Sequence, residues 1–248
     1  MGKEVSKKER IDKIISSRGI ASRSEAKLLV KKGQVTLNGV VVTDSSVKAG
    51  ADDVIAINGE IISQEKYVYI MLNKPEGVVS ATDDKRYPTV VDIIPDEFKR
   101  RNLFPAGRLD KDTTGFCLIT DDGEFAHNIL SPSRHVTKTY IAKLASPIDY
   151  EEGQRLFEEG VVLKDGTVLL SARLTLVENS DKPTYKVIIK EGKYHQIKRM
   201  FASLGSRVNE LIRISIGGLA LDEALNPGDS RLISAEELKS IVENDERI

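Results

Sequence analysis

The stretch Gly107-Arg108-Leu109-Asp110-Lys111-Asp112-Thr113-Thr114-Gly115 lies between Pro105 and the apolar run 116–120. Glycines at both ends open backbone conformations that other residues avoid. Arg108, two positions from Asp110, is an opposite charge of the kind that keeps a partly buried carboxylate ionised. Such a carboxylate can be a nucleophile, a general base, a metal ligand or a turn former, and spacing alone does not choose among them. Asp112 does not make Asp110 half of a glycosidase-type acid and base pair. Two positions on one loop are no sign of carboxyl groups set apart across a sugar. His127, His135 and His195 show no ligand spacing and Cys117 is the only thiol, so no metal is expected. No glycine-rich phosphate loop occurs, so no nucleotide or other cofactor is expected either.

Outward from this loop, β-rich runs read as strands at 67–72, 115–120, 139–144, 169–177, 184–190 and 217–221. Helical spacing covers 123–130, 150–159, 195–204 and 235–244. Strands mixed irregularly with helices, without strict βαβ alternation, predict an α+β domain with a mainly antiparallel sheet over 67–248. The first 62 residues read differently. Ile11, Ile14 and Ile15 give a helix over 10–17 that stops at Gly19, and Ser22 is an N-cap for a second helix over 23–32, stopped by Gly33. Two β-rich runs then flank Asn38-Gly39, a strong hairpin signal, and a second Asn-Gly falls at 58–59 between runs at 53–57 and 61–62. A small module over 1–62 follows, with 63–66 as linker.

The chain of 248 residues has room for an ordinary domain plus such a module, or for one large domain. Its 37 basic and 38 acidic side chains nearly cancel, so total charge announces no polyanionic partner. Their distribution does: residues 1–48 hold 11 Lys/Arg against 5 Asp/Glu, and 183–213 hold 7 against 2. Two basic patches on a neutral protein suit a polyanion held in one orientation, the alternative being solvated faces that happen to be basic. Cys117, between Phe116 and Leu118, reads as a core residue and cannot form an internal disulfide, which suits a reducing cytoplasm. The first ten residues lack the apolar stretch of a signal peptide, and no run nears the ~20 apolar residues of a membrane span. A soluble cytoplasmic protein is expected.

The order helix, basic helix, hairpin resembles the αL RNA-binding motif shared by a ribosomal small-subunit protein, tyrosyl-tRNA synthetases and several RNA-modifying enzymes. The resemblance rests on Arg10-Ile11-Asp12-Lys13, on 19–26 and on 32–39. It implies that Arg23, Lys27, Lys31 and Lys32 meet phosphates from a rigid surface and anchor structured RNA.

The 107–115 stretch, followed by Leu118-x-Thr120-Asp121-Asp122-Gly123, resembles the signature of pseudouridine synthases, closest to the ribosomal-RNA branch of RsuA type. Three further stretches agree in order: Leu72-Asn73-Lys74-Pro75-x-Gly77, Lys138-Thr139-Tyr140, and residues 191–200 followed by Arg213-Ile214-x-Ile216-Gly217-Gly218-Leu219-x-Leu221. What the resemblance implies is a catalytic domain that turns uridine into pseudouridine. Asp110 would initiate breakage of the glycosidic bond, and Arg108 would enter the RNA stack in place of the flipped uridine. Tyr140 would lie against the uracil face. Lys198 or Arg199 would pair with Asp110, and Leu219 would supply an apolar pocket wall. The carboxyl-terminal stretch from Ile216 to Gly228 resembles the small-subunit enzymes. The implied partner is therefore 16S ribosomal RNA or a small-subunit assembly intermediate, met by a monomer. A large-subunit 23S site, a non-catalytic assembly factor and a base-excising enzyme are the alternatives.

Overall fold

The computed structural model describes residues 8–50, 52–62, 66–131, 134 and 136–242. The chain forms two compact units: residues up to Val68 together with Pro95–Leu103, and Tyr69–Ile94 together with the chain from Phe104 onward.

In the first unit a two-residue strand β1 (Glu9–Arg10) leads into α1 (Ile11–Ser17) and α2 (Arg23–Lys31). Ser22 starts α2 with a capping box: its hydroxyl accepts from Glu25 N, and Glu25 accepts from Ser22 N at 2.7 Å. Strands β2 (Val35–Leu37), β3 (Val40–Val41), β4 (Lys48–Ala49), β5 (Ile55–Ile57) and β6 (Glu60–Ile61) follow. They form an antiparallel sheet in the order β3-β2-β5-β6, while β4 pairs with β1. Asn38-Gly39 and Asn58-Gly59 turn its two hairpins with positive φ at all four positions, the geometry for which Asn-Gly is suited. Ile11, Ile15, Ala26, Val30, Val35 and Ile55 make the core. The segment Pro95–Leu103, which the sequence reading left inside the second domain, belongs to this unit. Arg100 donates to Ile20 O at 3.1 Å and Arg101 to Lys66 O at 2.8 Å. The linker expected at 63–66 falls mostly outside the described residues.

The second unit is built on one large sheet. Its strands are β7 (Tyr69–Lys74), β8 (Phe104–Pro105), β9 (Thr114–Thr120), β10 (Lys138–Leu144), β11 (Arg173–Glu178), β12 (Thr184–Ile189), β13 (Val208–Ile216), β14 (Leu219–Ala220) and β15 (Ser230–Leu232). The order is β11-β12-β10-β13-β9-β7-β15, with β14 on β13 and β8 on β9. Every pairing is antiparallel except β13 with β9, which run parallel at Ile212–Thr114 and Arg213–Gly115. Helices α3 (Gly123–Leu130), α4 (Tyr150–Glu159), α5 (Gln196–Ser203) and α6 (Ala235–Val242) complete the unit. Asp122 caps α3 through Glu124 N and Phe125 N and also accepts from the Tyr69 hydroxyl at 2.6 Å. Met71, Phe116, Leu118, Ala126, Ile129 and Ile241 lie in one core cluster, and Cys117 is buried in the same strand as Phe116.

The mainly antiparallel α+β reading holds, with three corrections. The strand predicted over 169–177 begins only at Arg173, because 161–170 folds back on itself through Leu169 N to Val161 O and Leu163 N to Thr167 O. The strand predicted over 217–221 shrinks to β14 at Leu219–Ala220, because Gly217-Gly218 forms the turn from β13 into it. Gly217 has φ +56°, and a Cβ there would sit 1.9 Å from Ile241 O. Strand β13 itself was not anticipated, since Asn209, Glu210 and Arg213 interrupt its apolar pattern. Arg213 is nonetheless buried, its Nε donating to Phe116 O at 2.7 Å. No helix among the described residues is long and apolar enough to cross a membrane.

Candidate active site

Asp110 occupies the loop between β8 and β9, and three neighbouring segments fix that loop. Lys74, at the end of β7, has a fully buried side chain whose ammonium donates to Thr113 O at 2.7 Å, Pro75 O at 3.0 Å and Lys111 O at 3.2 Å. Gly77 N donates to Lys111 O at 2.9 Å, and Ser80 Oγ exchanges hydrogen bonds with Leu109 N and Leu109 O. The loop closes through Thr113 N to Asp110 O and enters β9 at Thr114. Gly115 has φ +95°, and a Cβ there would lie 2.3 Å from Arg213 O, so only glycine lets β9 and β13 run side by side here. Burial pulls the Lys74 pKa down to about 8; nearby Cys117, Asp112 and Asp110 oppose that shift.

The Asp110 carboxylate is about one quarter exposed and meets one cation closely: Lys198 Nζ lies 3.0 Å from Oδ2. The same ammonium lies 2.6 Å from Asp112 Oδ1, so Lys198 bridges both carboxylates of the loop. Burial pulls Lys198 down, but its hydrogen bonds to Asp112 and Asp110 outweigh that, and its pKa ends above the ordinary lysine value. Burial raises Asp112, and the Lys198 hydrogen bond and charge reverse this, leaving it below the usual carboxylate range. His195 Nε2 stands 3.6 Å from Asp110 Oδ1.

The pocket around Asp110 is lined by Arg108 and Thr113 from its loop, Tyr140 of β10, Ile189 of β12, Leu211 of β13, Lys193, and the run from His195 to Lys198 that opens α5. Tyr140 is buried and pairs across the sheet with Val187 and Arg213, which sets its ring at the pocket wall. Arg108 is exposed at the rim. The structure thus brings together Asp110, Tyr140, Lys198 and Arg108. It does not bring Arg199 to Asp110: one helical position on from Lys198, that guanidinium binds Asp165 and lines a separate cavity with Leu163, Ala202 and Ser203. Nor does Leu219 line the pocket. It packs in the core with Met71, Phe116 and Ile241, because the Gly217-Gly218 turn carries β14 past the site, and Leu211 and Ile189 supply the apolar wall. The sequence reading missed Lys74 and Leu211 as parts of the site. Lys74 lies in the Leu72-Asn73-Lys74-Pro75-x-Gly77 motif, but nothing in the sequence shows that its ammonium reaches three carbonyls.

In the first unit Arg23, Lys27, Lys31 and Lys32 are all exposed on or beside α2. Arg23 lies 3.6 Å from Asp12, a fully buried carboxylate that Arg10 holds with two hydrogen bonds. Among the described residues no group of three or more His, Cys, Asp or Glu is arranged to hold a metal ion.

A buried-edge carboxylate bridged by an ammonium, beside an aromatic ring and apolar walls, can hold a planar base while a bond to it is broken and remade. Comparison with known proteins agrees. Residues 68–203 match the family of RNA pseudouridylate synthases, and 9–55 match the S4 domain. A ribosomal small subunit pseudouridine synthase A of Vibrio vulnificus is 42% identical over 94% of this chain and 99% of its own length. The protein of that name from Escherichia coli K12 is 39% identical over 94% and 100%. An uncharacterized RNA pseudouridine synthase of Bacillus subtilis is 42% identical over 92% and 96%. Among solved structures, a crystal structure of a pseudouridylate synthase superposes with a TM-score of 0.65 at 38% identity, covering 94% of this chain and 99% of that one.

Proposed function

The chain belongs to the RNA pseudouridylate synthase family, and from that premise we propose that it isomerises a uridine of small-subunit 16S ribosomal RNA, with Asp110 as the reacting carboxylate. The observation that carries the site assignment is the Lys198 bridge, which holds the Asp110 carboxyl group at a pocket walled by Tyr140 and Leu211.

The reaction breaks the bond between ribose C1′ and uracil N1 and forms one from C1′ to C5. The C5 proton leaves and N1 regains a proton, so no atom is gained or lost overall. Asp110 starts the cleavage, and Lys198, 3.0 Å away, aims it. Tyr140 supplies an aromatic plane against the uracil and a hydroxyl for proton transfer. Leu211 and Ile189 exclude water that would hydrolyse the intermediate. A base inside a helix cannot reach Asp110, so the uridine leaves the stack and Arg108 enters the gap. Arg23, Lys27, Lys31 and Lys32 hold the RNA by its phosphates. The small-subunit assignment rests on the similarity to enzymes bearing that name along nearly their whole length. Action on a small-subunit assembly intermediate, in the cytoplasm and as a monomer, belongs to the same proposal.

The test is a map of pseudouridines in ribosomal RNA from cells lacking the protein and from the same cells complemented with it. One 16S position should lose and regain its modification. A lost 23S position would move the substrate to the large subunit, and an unchanged map would overturn the proposal.

A further inference from the structure

Tyr194 is the most exposed large apolar side chain among the described residues, 75% accessible, and it stands beside the pocket rather than on a remote face. Its ring lies parallel to His195, with centroids 3.8 Å apart and 18° between planes. His195 in turn reaches Asp110 at 3.6 Å. A ladder of planar groups therefore runs from the Asp110 carboxylate outward to solvent, and it ends on the ring of Tyr194.

The backbone is built to hold this ladder. His195 has φ +47°, a left-handed conformation that costs energy in a residue with a Cβ and persists only where its surroundings enforce it. They do so through two buried side chains. Glu191 accepts from Leu170 N at 2.8 Å and from Gln196 Nε2 at 3.2 Å, and Gln196 accepts from Lys193 N at 2.9 Å. The loop carrying Tyr194 is thus pinned on both sides, and its exposed ring is presented by a rigid segment. Arg108 and Lys111 line the same groove, and Lys111 is held at the rim by the ring of Tyr87, 3.7 Å from its ammonium.

We propose that Tyr194, stacked on His195, is a binding subsite for an unpaired RNA base adjacent to the target uridine. The proposal rests on the isomerase reading of the Asp110 pocket and adds the recognition of a second nucleotide. Extruding a uridine strips one stacking partner from its neighbour. A pre-formed aromatic ladder leading away from the pocket replaces that partner, and any base has a face that it can accept. Arg108 fills the gap left by the extruded nucleotide, and Lys111 meets a phosphate beside it. Since stacking uses the ring and not the hydroxyl, phenylalanine can stand in for Tyr194 and alanine cannot.

The test uses the full chain and a 16S ribosomal RNA fragment containing the mapped uridine, with 2-aminopurine placed immediately 5′ or immediately 3′ of it. Turnover of the parent on the unlabelled fragment is scored first. Its absence would overturn the isomerase reading and is distinct from failure of the subsite. With parental turnover in hand, binding should change the 2-aminopurine fluorescence at one of the two positions. Tyr194→Phe should keep that change and Tyr194→Ala should lose it. In kinetics, Tyr194→Ala should raise KM about ten-fold while kcat falls less than about three-fold, the size expected for one lost base–aromatic stack. A merely structural tyrosine would instead lower kcat and thermal stability in both variants. Parental KM and parental fluorescence in Tyr194→Ala would overturn the proposal.

Discussion

Replacing Lys74 by methionine removes the cation under the Asp110 loop while keeping its length and apolar stem, and the effect should depend on pH in an unusual direction. Lysine 74 has its folded-state pKa lowered from 10.5 to about 8 by burial. A base with a depressed pKa holds fewer protons folded than unfolded between those values, so its contribution to stability rises with pH across that window and is lost as pH falls through 8. Between pH 7 and 9.5 the gain from this one group is about 2 kcal/mol. Against it stand the carbonyls of Thr113 and Pro75, which lose a donor in the variant, whereas Lys111 O keeps Gly77 N. Two orphaned carbonyls cost about 4 kcal/mol, and no longer burying an ammonium returns about 3. Lys74→Met should therefore be about 1 kcal/mol less stable than the parent at pH 7 and about 3 kcal/mol less stable at pH 9.5. Urea unfolding of both proteins at the two pH values, followed by circular dichroism, measures this double difference, from which all other titrations cancel. A destabilisation that is constant would mean an unshifted ammonium, and one that shrinks toward high pH a net stabilising one; either would refute the reasoning.

Other perturbations separate the remaining assignments. Lys198→Ala should lower turnover about 10- to 100-fold, the scale of a charged hydrogen bond, whereas Arg199→Ala, whose partner is Asp165, should stay within about three-fold; equal losses would dissolve the distinction. Gly217→Ala should destabilise the second unit by about 2–4 kcal/mol, because its Cβ meets Ile241 O at a positive φ, and an unchanged melting temperature would show that α6 does not pack as described. Changing Arg23, Lys27, Lys31 and Lys32 together to glutamine should flatten the slope of log affinity against log salt by up to about three units; an unchanged slope would mean that α2 does not meet phosphate.

Much of this architecture was legible in local sequence, and the reasons differ by element. The Ser22–Glu25 box and the two Asn-Gly turns are short-range devices, so the first unit could be read residue by residue. Helices α3 and α4 announced themselves through their apolar spacing, while the capping roles of Asp122 and Asp149 emerge only in the structure. Strand β13 did not, because its buried Arg213 looks like a surface residue until the carbonyl of Phe116 is placed beside it. For the same reason Leu211 was passed over in favour of Leu219: which of two leucines faces a pocket depends on the register of β13 against β9 and β10. The identity of Asp110 came from motifs in order, and its loop geometry added nothing specific until Lys74 and Lys198 were located around it. Lys198 and Arg199 are adjacent on α5, and only the orientation of that helix decides which one turns toward the loop. The attachment of Pro95–Leu103 to the first unit has no sequence signal at all, since it depends on the carbonyls of Ile20 and Lys66 that Arg100 and Arg101 find.

The central claim is that the Asp110 carboxylate reacts, and the most direct measurement is pseudouridine formed in unmodified 16S ribosomal RNA by the purified parent and by Asp110→Asn, with RNA binding measured alongside. The expected result is stoichiometric pseudouridine with the parent and none above background with Asp110→Asn, while the two bind RNA with similar affinity. Turnover by Asp110→Asn comparable to the parent would contradict the account.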